Sequence, residues 1–193
     1  RRRGCRWRRG VTFSIMAGMK NYVVFFLAVF LITATTAVTG VARADQTDPR
    51  LDGLFVELHE TDNSYKARQI EQSIWGVWLA NKSPTLELLM GRVVAAMGQQ
   101  KFGDALELLH TIVIIAPDYA EGWNKRATVY FLLRRYEVSI ADVERTLDLE
   151  PRHFGALSGL GLIYSRLQQD KSALDAYERA LKVNPHLEQA ERE

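Results

Sequence analysis

Side chains that often perform chemistry in proteins are present in this sequence, but their spacing does not assemble a site. The four histidines, His59, His110, His153 and His186, lie far apart and lack the close spacing of zinc ligands. Ser158 lies in the stretch LSGLG, which lacks the G-x-S-x-G turn that exposes a nucleophilic serine. We interpret the histidines as surface or helix-capping residues. We therefore expect no catalytic, cofactor or metal site and predict that the protein is not an enzyme.

Two arginines at equivalent places, Arg92 and Arg126, are candidates for anion binding. Each interrupts an apolar stripe at a position where Leu160 occurs further along the chain. A half-buried guanidinium requires an acid or a carbonyl group as its partner. One interpretation is capture of a carboxylate from a binding partner. We favour the other, an ion pair between helices with an acid on a neighbouring hairpin.

Positive charge is concentrated at the amino-terminal end of the sequence. Residues 1–44 contain eight arginines and lysines and no acidic residue. The remaining 149 residues contain 17 basic and 23 acidic residues, which gives a net charge of −6. Because this larger part is acidic and has no basic stripe, we do not expect it to bind nucleic acid.

The amino-terminal segment has the layout of a secretory signal peptide. Basic residues precede an apolar run, residues 23–32, and the segment ends in an A-x-A pattern from Ala42 to Ala44. We expect export to a bacterial periplasm, with cleavage after Ala44. The alternative is an uncleaved anchor in the inner membrane, formed by residues 21–42 and facing the periplasm.

Two methionines, Met16 and Met19, directly precede the apolar run and are candidate translation starts. Residues 1–15 would then be an upstream extension. The single cysteine, Cys5, also lies in this segment. We therefore expect a mature chain without disulfides or thiolate sites.

A 34-residue repeat organises most of the remaining chain. Pro117, Pro151 and Pro185 are spaced by 34 residues, and apolar residues recur at helical spacing between them. In each unit a polar break separates two apolar stripes, which predicts two helices joined by a turn. Each proline ends the second helix, because it cannot continue the hydrogen-bond ladder. The three units are residues 86–119, 120–153 and 154–187.

These units resemble the tetratricopeptide repeat (TPR). The third unit matches the W-x2-L-G-x2-Y, A-x3-F and closing proline pattern best, through Leu160, Gly161, Tyr164, Ala173, Tyr177 and Pro185. The second unit supplies Trp123, Tyr130 and Pro151, and the first is the weakest match. The resemblance implies an all-α fold, a right-handed superhelix (solenoid) of stacked antiparallel helix pairs.

Three segments flank the repeats. Residues 51–81 contain two further apolar stripes, which predict a helical hairpin that is either a degenerate repeat or an N-terminal cap. We expect residues 45–50 to form a flexible lead. Residues 186–193 are polar and are expected to start a closing helix, since the end units of a solenoid need a polar outer face.

Two helix starts can be predicted within this frame. Ser83 followed by Pro84 is typical of an N-cap and a first helical residue. Asp118 followed three residues later by Glu121 predicts a capping box.

The resemblance also implies a binding groove, because the first helix of each repeat lines the concave side of such superhelices. The candidate groove residues are Glu87, Met90, Val94, Met97, Asn124, Thr128, Phe131, Ser158, Leu162, Ser165 and Arg166. The carboxylate clamp known in the family is not expected, because Gly155 and Gly159 stand where its last basic residues are needed. We predict a non-catalytic adaptor or scaffold that binds a peptide or helix of another protein. No small-molecule substrate is expected, and a membrane would be involved only through the N-terminal segment.

Two alternatives remain at this point. Met90, Val94, Met97 and Phe131 either contact a partner or are covered by the hairpin of residues 51–81. The alternative function is that of a structural subunit of an envelope complex or a self-associating assembly factor, which would pack through its convex face or its hairpin.

Overall fold

Helices dominate residues 45–80 and 83–187, the part of the chain that the computed structural model describes. They are α1 (Arg50–Glu60), α2 (Ser64–Leu79), α3 (Pro84–Gly98), α4 (Phe102–Ile115), α5 (Ala120–Leu132), α6 (Tyr136–Leu149), α7 (Phe154–Arg166) and α8 (Asp170–Val183). A 3-10 turn, Asp45–Thr47, precedes them, and no strand occurs in these two ranges. All described residues belong to one compact unit, Val41–Glu193.

The two ends of the chain fall largely outside these ranges. The predicted signal peptide, residues 1–44, is not among the described residues, and neither are residues 188–193 of the predicted closing helix. Within the described part, no helix is both long enough and apolar enough to cross a bilayer.

The repeats form three helix pairs: α3 with α4, α5 with α6, and α7 with α8. Each second helix ends two residues before a repeat proline, at Ile115, Leu149 and Val183. Successive pairs stack through α4 on α5 and α6 on α7. The predicted all-α superhelix of stacked antiparallel helix pairs is therefore confirmed.

The turn inside each repeat requires a left-handed backbone. Gln100, Arg134 and Gln168 have φ angles of 58°, 56° and 59°, respectively. These residues are 34 positions apart, so the same strained turn joins the two helices of every repeat. None of them is glycine, the residue that adopts this conformation at least cost.

Close packing of the repeat helices on one another depends on Gly161 and Gly122. A Cβ atom added at Gly161 would lie 2.6 Å from the Tyr177 ring, and one at Gly122 would lie 2.8 Å from Ile112. Gly161 therefore lets α8 pack tightly on α7 within repeat 3. Gly122 lets repeat 2 stack closely on repeat 1.

The predicted helix starts have different outcomes. Ser83 is the N-cap of α3, and Pro84 is its first residue, as expected. The predicted capping box at Asp118 is wrong. Helix α5 starts after Tyr119 without a side-chain cap, and Glu121 is buried. Its carboxylate instead pairs with Lys125 and His153, as described below.

The segment before the repeats folds into two helices, α1 and α2, but they do not stack on repeat 1 as another repeat would. Their apolar cluster contains Leu51, Phe55, Leu58, Ile74 and Trp78, and it includes Phe154 from the start of α7. Val183 and Leu187, at the end of repeat 3, pack against the same cluster.

Polar contacts fix this hairpin along the turns that connect successive repeats. The Tyr119 hydroxyl donates to the Leu79 carbonyl at 3.1 Å, and Arg152 forms an ion pair with Asp52 at 2.7 Å. His59 Nε2 lies 2.9 Å from the Lys182 carbonyl oxygen. The residues predicted as a flexible lead take part as well, since Gln46 in the 3-10 turn donates to the Asp118 carbonyl. The hairpin thus bridges the three repeats along one edge.

Candidate functional site

The predicted groove residues lie on α3, α5 and α7, the first helices of the repeats, and differ widely in accessibility. Glu87, Val94, Thr128 and Arg166 are exposed. Met97, Phe131, Ser158, Leu162 and Ser165 are half-buried, whereas Met90 and Asn124 are buried. Nine of the eleven side chains can therefore be reached by a partner.

The two buried residues have structural roles instead. Met90 belongs to the apolar core between α3 and α4, together with Leu86, Val93 and Leu109. The Asn124 amide donates to a Glu121 carboxylate oxygen at 2.8 Å. Neither side chain is presented to a partner, so the sequence-based assignment of these two residues to the groove surface is wrong.

The α1–α2 hairpin does not cover the apolar groove residues of repeats 1 and 2, which was one of the two alternatives left open by the sequence. Met97 packs against the core of repeat 1, and Phe131 packs beside Tyr136 with ring centroids 5.9 Å apart. Their partial burial therefore comes from the repeats themselves. Val94 remains 52% exposed. This leaves an accessible apolar strip on the first helices of repeats 1 and 2.

The hairpin instead enters the groove at repeat 3, where Trp75 of α2 lies against Gly155. A Cβ atom at Gly155 would be 2.6 Å from the Trp75 ring. The Trp75 ring also meets Phe154 edge to face, at 5.6 Å between centroids. Gly155 is one of the two glycines that replace the clamp residues. Its missing side chain makes room for the protein's own tryptophan.

A cavity of about 310 Å³ adjoins this contact. Its lining includes the aromatic residues Trp75, Phe154 and Tyr177, together with Leu162, Gly155 and Gly159. The Ser158 hydroxyl oxygen at its wall is buried and has no hydrogen-bond partner among the described residues. The cavity therefore combines an aromatic lining with an acidic residue, Glu71, and one buried hydroxyl group that has no partner.

A buried polar cluster lies beneath the hairpin, between repeats 2 and 3. The side chain of Glu121 is fully buried, with Lys125 Nζ 2.6 Å and His153 Nε2 3.1 Å from its carboxylate oxygens. The ring of Trp78 stacks on the His153 ring at 4.1 Å, and Lys125 lies over Trp75 at 5.3 Å. Two tryptophans of α2 thus close this cluster off.

Charge pairing dominates the electrostatics of the cluster. Burial by itself raises the pKa of Glu121, but the hydrogen bond from His153 and the charge of Lys125 bring that pKa below its usual value. Burial also raises the pKa of Tyr119, and the negative charge of Glu121 adds to the effect. Glu121 is therefore an ionised structural residue, and its carboxylate has no solvent access for a substrate.

Sequence reasoning identified His153 correctly as a helix-start residue, because its side chain accepts from the Ala156 amide at 3.1 Å as the N-cap of α7. It missed that the ring is buried and bound to Glu121. The repeat register gave no signal of this burial, because the counterpart of Glu121 in repeat 1 is the exposed groove residue Glu87.

The two candidate anion-binding arginines behave differently. Arg126 binds both carboxylate oxygens of Asp142 at 2.7 Å, and its guanidinium lies 4.7 Å from the centre of the Trp123 ring. The hydrogen bonds that Arg126 donates to Asp142 raise the pKa of Arg126 above its usual value. The favoured interpretation, an ion pair between helices, is confirmed for Arg126, although Asp142 belongs to the same repeat. For Arg92 the expectation of half-burial is wrong, because this residue is exposed on α3.

No metal site appears among the residues described, since these contain no group of three or more acids, histidines or cysteines positioned to hold an ion. The histidines instead contact single side chains or backbone groups through individual ring nitrogens. His110 meets the Tyr130 hydroxyl at 2.9 Å, and His186 meets the Leu58 carbonyl at 3.1 Å.

Comparison with known proteins places these helix pairs among tetratricopeptide repeats. Two sequence models of that repeat match residues 90–145 and 155–187. A TPR repeat-containing protein of Rhizobium etli is 40% identical over 136 residues, which are 70% of this chain and 67% of the Rhizobium protein.

Two solved structures share the fold at lower identity. MamA is 24% identical with a TM-score of 0.52, over 54% of this chain and 61% of MamA. The chain thus spans less than two thirds of that relative. The first TPR of Spaghetti (RPAP3), bound to an HSP90 peptide, is 24% identical with a TM-score of 0.53, over 54% of this chain and 82% of that domain. At this identity, both likenesses show the fold alone.

Proposed function

Because this chain belongs to the tetratricopeptide repeat family, we propose that it is a non-catalytic adaptor that binds a peptide or helix of another protein along α3, α5 and α7. Members of this family are interaction modules whose grooves are formed by the first helices of the repeats. The repeats of Spaghetti (RPAP3), which share this fold, hold an HSP90 peptide. That precedent supports a peptide as the class of partner. The accessible residues on the first helices of this chain support the groove as the binding surface.

One observation in particular supports the proposal: the cavity of about 310 Å³ on the inner side of repeat 3. It presents an aromatic wall to an apolar anchor side chain. Deep apolar pockets with a few polar groups typically hold the anchor residues of an interface. From this pocket, Ser165 and Thr128 continue the accessible surface towards Val94 on repeat 1.

The partner we propose is not held by the carboxylate clamp known in the family. Trp75 fills the space beside Gly155, and the Asn124 amide is already bound to Glu121. A partner of this groove is therefore recognised mainly through an apolar anchor. The exposed Arg166 at the end of α7 favours an acidic residue of the partner at that place, whereas Glu71 in the cavity lining disfavours a negative charge on the anchor itself.

We also propose that the protein works after export from the cytoplasm. The support is the amino-terminal pattern of basic residues, an apolar run and an A-x-A site in residues 1–44. The proposed compartment is the periplasm. Detection of the mature N-terminus at Asp45 in a periplasmic extract would support this proposal, and an intact N-terminus in the membrane fraction would support the anchored alternative.

Photo-crosslinking in living cells tests the groove. A photoreactive residue at Thr128 or Ser165 should give a discrete adduct with another protein, identifiable by mass spectrometry. The same residue at exposed Glu144 on α6 is the control. These groove positions avoid Phe131, whose packing on Tyr136 makes replacement disruptive. Adducts of equal yield at all three positions, or at none, would refute binding in the groove.

A further inference from the structure

One face of repeat 1 points away from repeat 2 and has no neighbour among the described residues. In the other repeats, the equivalent positions form the interface with the preceding repeat. Two positions define this face: Leu88 and Ala95 on α3. Leu88 is 58% exposed, and Ala95 is exposed too. Their counterparts, at steps of 34 residues, are buried in both other repeats.

The counterparts show what these positions normally do. Gly122, the counterpart of Leu88 in repeat 2, is covered by Ile112, Val113 and Tyr119 of repeat 1. Val129, the counterpart of Ala95, lies in the apolar core of repeat 1 and is fully buried.

Repeat 3 follows the same rule. Ala156 and Ile163 are each 1% exposed and share a core with Val143 of repeat 2. These positions therefore bury the face of each repeat against the preceding one. In repeat 1 the α1–α2 hairpin, which precedes it in sequence, packs along the repeat turns and does not cover this face.

The residue pattern on α3 indicates that another helix packs on this face. Leu88, Gly91, Ala95 and Gly98 follow one another at steps of three, four and three residues, the spacing of a two-helix seam. A Cβ atom at Gly91 or Gly98 would meet nothing within 4 Å, so a second helix can approach closely. On either side of the seam lie two residues of opposite charge, Glu87 and Arg92, five positions apart.

That spacing of charges distinguishes parallel from antiparallel pairing. In a parallel pair of helices, a charged residue just before one seam position faces the residue five positions later on the partner helix. Glu87 of one copy would then meet Arg92 of the other, twice across a twofold axis. In an antiparallel pair, Arg92 would instead face a second Arg92.

We propose that the exposed face of α3 is a self-association surface, on which a second copy of this protein packs its own α3 in parallel. Leu88 meets Leu88 and Ala95 meets Ala95 across the twofold axis, and the Glu87–Arg92 pairs flank them. This surface is distinct from the cavity of repeat 3, so one chain can bind a partner and a second copy at once.

Site-directed disulfide formation tests this arrangement in the full chain. Two differently tagged copies are co-expressed with Cys5→Ser as background. Leu88→Cys in both copies should give a crosslinked dimer after mild oxidation. A copy with Leu88→Cys and a copy with Ala95→Cys should not crosslink, because in a parallel pair these positions are displaced by about 10 Å along the helix axis. Leu174→Cys is the control, since Leu174 on α8 is equally exposed, at 60%.

Charge exchange provides a second readout that does not depend on a cysteine. Glu87→Arg alone should reduce the dimer yield of Leu88→Cys by roughly fivefold, since two attractive pairs become repulsive. Adding Arg92→Glu should restore the yield. Both residues are exposed, so neither change should prevent folding.

Each outcome decides the proposal. Crosslinking at Leu88 with loss and recovery on charge exchange would establish the parallel pair. A preference for the mixed Leu88–Ala95 pair, or a yield no higher than at Leu174, would overturn it. An adduct at Leu88 with a different protein, or within one chain to residues 1–44, would show that something other than a second copy occupies the face.

Discussion

Replacing Arg126 by leucine gives the sharpest test of how repeat 2 is held together. The guanidinium side chain is 15% exposed, and the Asp142 side chain that it binds is only 7% exposed. Arg126→Leu leaves this carboxylate buried without its partner. Breaking a buried pair in this way costs about 3–5 kcal/mol, and the slight exposure of Arg126 places the expected loss near the lower end, at about 3 kcal/mol.

The third repeat shows how the loss can be reversed. At the positions equivalent to Arg126 and Asp142 it has Leu160 and Ala176, which are 5% and 1% exposed. The double variant Arg126→Leu, Asp142→Ala copies this apolar pair into repeat 2. Since no buried charge then lacks a partner, its free energy of unfolding should return to within about 1 kcal/mol of the wild-type value.

Urea unfolding followed by far-UV circular dichroism measures the wild type, Arg126→Leu, Asp142→Ala and the double variant, which together form a double-mutant cycle. The single variant should also melt about 9 °C lower, because roughly 3 °C is expected per kcal/mol for a unit of this size. Arg92→Leu is the control, since Arg92 is exposed and should change stability by less than about 0.5 kcal/mol. If Arg126→Leu is as stable as the wild type, or the double variant is as unstable as the single one, the ion pair does not have the structural role assigned to it.

Three further predictions follow from the same structure. The folded protein lowers the pKa of Glu121, so the unfolded chain binds more protons than the folded one once the pH falls towards and below about 4.5; urea midpoints should therefore fall more steeply between about pH 5.5 and pH 3.5 for the wild type than for Glu121→Gln, and parallel curves would contradict this. Arg134→Gly should stabilise the protein by up to about 1 kcal/mol, because it relieves a φ of 56°; Arg135→Gly, at a φ of −91°, should not, and thermal melts compare the two. Gly155→Ala should displace Trp75, changing tryptophan fluorescence and speeding proteolysis of the hairpin, whereas Gly159→Ala, which meets nothing within 4 Å, should not; equal effects would argue against the Trp75 contact.

The regular features of the fold could be predicted because they are local. A helix pair is specified by apolar residues three and four positions apart, a polar break and a proline, all within 34 residues. Three copies in one register made stacking the expected outcome, since a single pair cannot bury its apolar face. The inward-facing residues, such as Leu109 and Leu157, follow from the same periodicity.

The candidate site could be predicted only in part. Its helices and most of its accessible residues follow from the repeat register. The place of the hairpin does not, because α1 and α2 have an apolar stripe that could have packed on repeat 1. Only the tertiary structure shows Trp75 against Gly155 and Trp78 on His153.

Residues that share a register position can still differ in environment. Arg92 and Arg126 are equivalent in sequence, yet Arg92 is exposed and Arg126 is bound to Asp142. The difference arises because repeat 2 has an acid opposite its arginine, whereas repeat 1 has Leu108 at the position equivalent to Asp142. Likewise, Glu121 looked like a capping residue and is instead paired with His153, 32 positions away. The sequence by itself determined the helices, their pairing and the order of the repeats, since these depend on neighbours along the chain. Which polar groups are buried together, and which faces stay open, was decided by the stacking of distant segments, where the environment of each residue depends on what lies opposite.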